Sequence, residues 1–207
     1  MCFLAFLSLD GKLGLSPEVE YPLRVFVLLA ALWFFSRKVI DLRAPHWLGS
    51  TALGLTVFAI WIAPDLLFPG YRNHWLFQND FLGAAPTPTE GYERLSTIAL
   101  VFRTIRATAV VPVVEELFWR AWLMRWIIKP DFQSVPLGSF TATSFWASAA
   151  LFAAEHGQFW DVGLLAGIAY NWWMIRTKSL GDCILSHAVT NGLLSAYVLL
   201  TGRWQYW

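Results

Sequence analysis

Apolar residues run through this chain in long stretches, broken by short clusters of proline, glycine and charge. A helix needs about 20 predominantly apolar residues to cross a bilayer. Pro22 to Ile40, Trp47 to Phe68, Ser139 to His156, Trp160 to Arg176 and Leu180 to Leu200 are stretches of that order. Leu95 to Ile128 is longer: at about 1.5 Å per residue it reaches about 51 Å, against a hydrocarbon core of about 30 Å. Pro112 lies inside it and, lacking an amide N–H, is expected to break the helix. The pattern predicts an all-α fold, a polytopic transmembrane helical bundle of about six spans. Pro69 to Glu93 is rich in Pro, Gly and Asn and reads as an exposed loop with interfacial aromatic contact. Met1 to Leu9 is apolar, too short to span, and lacks the basic start and small-residue cleavage site of a signal peptide. It reads as an interfacial stub or as the tail of a span.

Basic residues orient the spans. Arg37, Lys38 and Arg43 follow the first, Arg125 and Lys129 the third region, and Arg176 and Lys178 the fifth. A single crossing by Leu95 to Ile128 puts all three clusters on one side, which is cytoplasmic by the positive-inside rule. The loop carrying Asp80, Glu90 and Glu93 then faces outward. A hairpin at Pro112 would move the last two clusters outside, and the single crossing is the preferred arrangement. Gly163 and Gly167, extended by Ala166 and Ala169, form a small-residue surface suited to close helix packing in lipid.

Composition agrees with a membrane class. Hydrophobic residues make up 57% of the chain and charged residues 14%, well below the roughly 25% charged of a soluble domain. The 13 Trp and 16 Phe suit a bilayer and its interfaces. A net charge of +1 makes nucleic acid an improbable partner. Cys2 and Cys183 cannot build a disulfide framework, and no Cys–His cluster has zinc-finger spacing.

Against that background, ionisable residues inside spans stand out, since each costs about 2.5–3.5 kcal/mol on insertion scales. Glu116 and Arg120 lie four apart, acid before base, and can neutralise each other on one helix face. Glu115 points about 100° away and has no such partner. A simple ion pair would explain Glu116 and Arg120 but not Glu115. Phe152 and His156 share a face at the end of the fourth span, where a lone histidine would ordinarily be interfacial. His187 and Asn191 share a face early in the last span, where they could serve as interhelical glue. Together, three helices offer a carboxylate, two imidazoles and a carboxamide, which are parts for activating water and stabilising an oxyanion. Other intramembrane hydrolase signatures are missing: Gly-x-Ser-Gly and His-Glu-x-x-His do not occur, and Gly181-Asp182 lacks the preceding glycine of a Gly-x-Gly-Asp site.

The order Glu-Glu-x-x-x-Arg (Glu115, Glu116, Arg120), Phe-x-x-x-His (Phe152, His156) and His-x-x-x-Asn (His187, Asn191) resembles the CPBP family, which contains type II CAAX prenyl endopeptidases and bacteriocin-processing or immunity proteins. The resemblance runs from about Val111 to Leu200. Pro112 to Arg120 and Gly202 to Trp207 look more particularly like the CAAX prenyl protease-related branch of bacteria with exosortase systems. The resemblance implies that Glu115 and His156 position and deprotonate the attacking water. It implies that His187 and Asn191 hold the oxyanion, while Glu116 and Arg120 orient those groups. No cofactor is required on this reading; zinc is possible, with Glu115, His156 and His187 as its ligands, although catalytic zinc usually has three protein ligands supported by a second shell. Glu155 stands where the second motif usually has an apolar residue.

The chain then divides into a membrane region of two spans and an external loop (1–93) and a CPBP-like helical core (94–207). The expected function is an intramembrane endopeptidase acting on a membrane-associated protein or peptide. It would sit in the lipid bilayer of a bacterial inner membrane, with no nucleic acid partner and no oligomeric state assigned. The alternative is a non-catalytic membrane partner or immunity-type protein that keeps the polar network. A transporter pathway lacks the inverted repeat such proteins show.

Overall fold

A computed structural model of the chain describes residues 14–79 and 95–207. The expectations for Met1 to Leu9 and for the loop from Asp80 to Glu93 lie outside the described residues. Six long helices carry the architecture: α1 (Pro17–Ser36), α2 (Trp47–Leu67), α3 (Thr97–Ile128), α4 (Ala142–Ala154), α5 (Trp160–Thr177) and α6 (Leu180–Thr201). Helices α1, α2, α3 and α6 are long and apolar enough to cross a membrane. Their outward faces carry exposed Phe26, Phe34, Phe35, Leu48 and Leu200, as expected for lipid contact. The chain is a polytopic helical bundle.

Local chemistry sets the helix ends. Pro17 opens α1 after Ser16, and Glu18 and Glu20 lie in its first turn, where the helix dipole favours negative charge. Ser96 caps α3 by accepting from Ala99 N. Thr141 and Ser144 form a reciprocal capping box on α4. Ser179 caps α6, whose far end stops at Gly202 with φ 70°, a left-handed conformation that suits glycine.

Helix α3 departs from the expected break. It runs through Pro112 without interruption, by widening into π-helical turns at Arg106–Val110 and Leu117–Leu123. At the first of these, Val111 N–H donates to the carbonyl five residues back, that of Arg106. The next amide in that register would be Pro112, which has none, and so leaves the Ala107 carbonyl without a backbone donor. The Asn191 carboxamide takes that place, donating from Nδ2 to Ala107 O at 2.9 Å. The missing hydrogen bond is replaced across the bundle, which is why the helix continues. Because α3 is unbroken, there is no hairpin at Pro112. Arg43, Leu137 and Lys178 gather around one cavity at one end of the bundle.

Helix α4 is also shorter than the apolar stretch from Ser139 to His156 suggests. It stops at Ala154 after 13 residues, a length of about 20 Å. The chain then turns through Gly157, whose φ is 52°. The turn is held by the segment after α2: Arg72 donates to Gln158 O and to Asp161 Oδ1 and also pairs with Asp65, while Tyr71 donates to Asp161 Oδ2. Trp160 donates to Leu76 O. A short α4 leaves His156 inside the bundle rather than at a far interface, where it lines the same cavity as His187.

Close approaches fix the packing. A Cβ on Gly54 of α2 would lie 2.5 Å from Ser186 O of α6, so these helices cross with backbone nearly in contact. A Cβ on Gly167 of α5 would lie 3.1 Å from the Ala149 backbone of α4, as the small-residue surface predicts. A Cβ on Gly163 would instead meet the His156 side chain at 3.2 Å, so this glycine makes room for a site residue. Between the helices, Val57, Trp119, Phe152, Val162, Tyr170 and Val198 form the main apolar core.

Candidate active site

The core borders a cavity of about 240 Å³ lined by both polar and apolar residues. Four residues picked out by the sequence line it: Glu115, His156, His187 and Asn191. They reach it from two helices and one turn. Glu115 projects from α3 just before its second π turn, His156 from the turn after α4, and His187 and Asn191 from one face of α6.

Glu116 and Arg120 sit behind this wall, both fully or almost fully buried. Arg120 Nη1 donates to Glu116 Oε1 at 3.0 Å. The same oxygen contacts His187 Nδ1 at 2.8 Å. A carboxylate already paired with a guanidinium is an acceptor only, so Nδ1 of His187 carries the proton and donates to it. This directs Nε2 of His187 at Glu115, whose Oε2 lies 4.0 Å away. Tyr170 stacks on the His187 ring at a centroid distance of 5.1 Å. Its hydroxyl donates to Thr190 Oγ1 at 2.8 Å. Arg120 is positioned further by Asn171, whose Oδ1 accepts from Nε at 3.2 Å, and by the ring of Phe152 at 4.6 Å. Asn171 is in turn fixed by donating to Phe145 O and Ser148 Oγ, both at 2.9 Å.

His156 is oriented by a similar device. Its Nδ1 donates to Phe152 O at 2.7 Å, since a carbonyl can only accept. Its ring packs against Phe152 at 4.7 Å and against the edge of Trp61 at 5.1 Å. Nε2 is left as the ring's other polar atom. Asn191, with one N–H committed to Ala107 O, keeps its second N–H and its Oδ1.

Glu115 and Glu116 each keep a buried Oε2 without a hydrogen-bond partner among the described residues, but of the two it is Glu115 that lines the cavity. Leaving a buried carboxylate oxygen unsatisfied is unfavourable by at least about 1–3 kcal/mol, and here the oxygen belongs to a residue that lines a cavity.

No metal was required by the sequence, and Glu115, His156 and His187 would be the ligands were zinc present. Among the described residues, no group of three or more His, Cys, Asp or Glu side chains is arranged to hold a metal ion. These residues do not fit a three-ligand site in this arrangement.

Residues 97–193 match the family described as type II CAAX prenyl endopeptidase Rce1-like. The match spans 97 of the 207 residues, just under half, and is consistent with the CPBP family. Its range takes in Glu115, Glu116, Arg120, His156, His187 and Asn191, and its family supports an intramembrane CAAX-type protease. No curated protein and no solved structure matches the chain. Trp61, Tyr206 and Trp207 lie outside the Rce1-like segment yet line the cavity, so both flanks of the matched segment contribute to the site.

Several site residues escaped the sequence reading. Asn171, Arg103 and Arg106 are polar or charged within apolar helices and buried, which is the same signal that selected Glu115. Tyr170 and Trp61 carried no sequence signal, because aromatic residues are abundant throughout the chain.

Proposed function

We propose that the chain is an intramembrane endopeptidase in which Glu115 is the general base. The observation that carries this reading is the buried, unpartnered Oε2 of Glu115 at the cavity wall, 4.0 Å from His187 Nε2. Glu115, with His156 positioning the water, removes a proton from it, and the oxygen attacks the scissile carbonyl. The carbonyl oxygen becomes an oxyanion, which accepts from the free N–H of Asn191 and from Nε2–H of His187. His187 can donate there only with a proton on both nitrogens. With Glu115 then protonated, Glu116, Arg120, His187 and the oxyanion sum to zero charge, a balance suited to a low-dielectric interior. As the C–N bond breaks, Glu115 returns its proton to the leaving amine. No step passes through a metal. Glu116, Arg120 and Asn171 act by positioning His187.

The substrate on this reading is a membrane-associated protein or peptide, and the location is a bacterial plasma membrane. A non-catalytic network accounts for Glu116, Arg120, Asn171 and His187, whose contacts are mutual. It gives no reason for Glu115, an acid outside those contacts, to line the cavity. The test compares membranes from cells carrying the native chain with membranes from cells carrying Glu115→Ala. Uncleaved membrane proteins or peptides should accumulate in the variant and identify the substrate. An unchanged membrane proteome, with the variant present at normal level, would count against proteolysis.

A further inference from the structure

A second cavity, of about 750 Å³, lies at the end of the bundle where Arg43 and Lys178 gather. It shares no residue with the one that Glu115 lines. The linker from α1 to α2, the segment before α4 and the turn between α5 and α6 meet around it, so it opens where spans start and stop. Arg43, Lys178 and Asp41 give it charge, while Val39, Leu137 and Leu180 give it apolar surface. Exposed Trp47, at the start of α2, and Trp172, near the end of α5, lie toward the same end, and tryptophan concentrates at bilayer interfaces.

Charge is not balanced within this cavity. Two cations and one carboxylate line it, and neither the Arg43 guanidinium nor the Lys178 ammonium makes a hydrogen bond or ion pair with a described residue. Asp41 Oδ1 accepts from the Arg43 amide at 3.0 Å, which leaves its other oxygen as an acceptor. The backbone beneath these groups is fixed. Ser179 Oγ donates to Arg43 O at 3.3 Å, and a Cβ on Gly181 would collide with that same carbonyl. Lys178 stands in the left-handed region with φ 54°, and among the described residues no other non-glycine does so. Glycine is the usual choice just past a helix end, because a Cβ disfavours that conformation. The lysine stem packs on Gly138, where an added Cβ would lie 2.9 Å from Lys178 Cγ. A lysine serving only the helix dipole or the inside charge bias could sit elsewhere in the turn without that strain. Residues held in disfavoured backbone conformations gather at ligand clamps.

We propose that this cavity binds the headgroup of an anionic phospholipid. Arg43 and Lys178 donate to its phosphodiester, and Asp41 accepts from headgroup hydroxyls. Two cations against one carboxylate leave a single positive charge, which one phosphodiester neutralises. Basic pockets between spans on the cytoplasmic side hold anionic headgroups in this way. Val39, which is 69% exposed, offers apolar contact to the acyl chains. A soluble phosphate would use the cations and leave that surface bare. The site stands whether or not the chain is a protease.

The test uses the full chain purified in dodecyl maltoside. The probes are dioctanoyl phosphatidylglycerol and dioctanoyl phosphatidylcholine, and native mass spectrometry titrates the lipid retained. One phosphatidylglycerol should bind at least about ten-fold more tightly than phosphatidylcholine, as a charge-assisted pair implies. Lys178→Gly puts at this φ the residue that tolerates it best, so the variant should fold normally. It should nevertheless lower the preference about five-fold, the effect of one cation near a membrane surface. R43Q together with K178G should abolish the preference. Should that pair fail to give monodisperse protein, K178G alone must still show its loss. Lys129→Gln removes a basic residue outside the cavity and should leave the preference intact. Equal binding of the two lipids by the native chain, an undiminished preference in K178G, or an equal loss in K129Q would overturn the site. Excess inorganic phosphate separates lipid from soluble ligand. Phosphatidylglycerol that stays bound supports the headgroup site, and its displacement would overturn the lipid assignment.

Discussion

Two buried carboxylates beside or on α6 each hold a histidine, Asp182 the exposed His46 and Glu116 the buried His187, and they are finished in opposite ways. Asp182 is fully buried and satisfied at both oxygens. Its Oδ1 accepts from His46 N at 3.0 Å and Ser50 Oγ at 2.9 Å, and its Oδ2 lies 2.9 Å from His46 Nδ1. Trp173 donates to the same Ser50 hydroxyl at 3.0 Å. The cluster ties the start of α2 to the start of α6 and α5. His187 is likewise paired with a buried acid, Glu116, but there Glu116 Oε2 and the neighbouring Glu115 Oε2 have no hydrogen-bond partner among the described residues. A buried carboxylate whose lone pairs are all used is an anchor. One that keeps an unused oxygen at a cavity is available to a reacting molecule.

Breaking each cluster should therefore give different losses. The largest structural loss is expected from Arg120→Ala, which leaves Glu116 buried without its cation. Removing one partner of a buried pair destabilises by about 3–5 kcal/mol. Membrane yield and activity should both fall, and normal yield with full activity would take this pair out of the account.

Asn191→Ala comes next. Losing one oxyanion donor lowers turnover about 10²–10³-fold. The same change also releases Ala107 O, so α3 should lose local order around its first π turn, measurable as faster amide exchange from Arg106 to Val111. A fall in turnover without that change would mean that Asn191 does not replace the hydrogen bond lost at Pro112.

Asp182→Asn should have the smallest effect on chemistry. It weakens charge-assisted bonds to His46 and Ser50 and should lower thermal stability by about 1–3 kcal/mol. Turnover per folded molecule should stay near native, and a fall as large as that of Asn191→Ala would erase the distinction between anchor and working site.

The span pattern and three short motifs were enough to locate the bundle and to pick out four residues that line one cavity. Hydrophobic periodicity reports burial in lipid, and an uncommitted charge within it reports a polar interior. What stayed hidden depended on partners distant in sequence. Nothing near Pro112 indicates that Asn191 will satisfy Ala107 O, so a break was the reasonable expectation. The apolar run to His156 does not reveal that Arg72 and Tyr71 will hold a turn at Gln158 and Asp161. Asp182 drew notice only as a failed Gly-x-Gly-Asp motif, and its anchoring role depends on His46 and Ser50, which no local pattern links to it. Arg103 and Arg106 were legible by the logic applied to Glu115, but their proximity to Trp207 and Tyr21 was not.

The central claim is that Glu115 transfers a proton. Glu115→Gln preserves shape and hydrogen-bonding capacity but cannot act as a base. The decisive measurement is turnover of an identified substrate by purified, folded native chain and Glu115→Gln in nanodiscs. The account predicts a fall of at least about 10²–10⁴-fold with thermal stability unchanged. Near-native turnover by Glu115→Gln would contradict it.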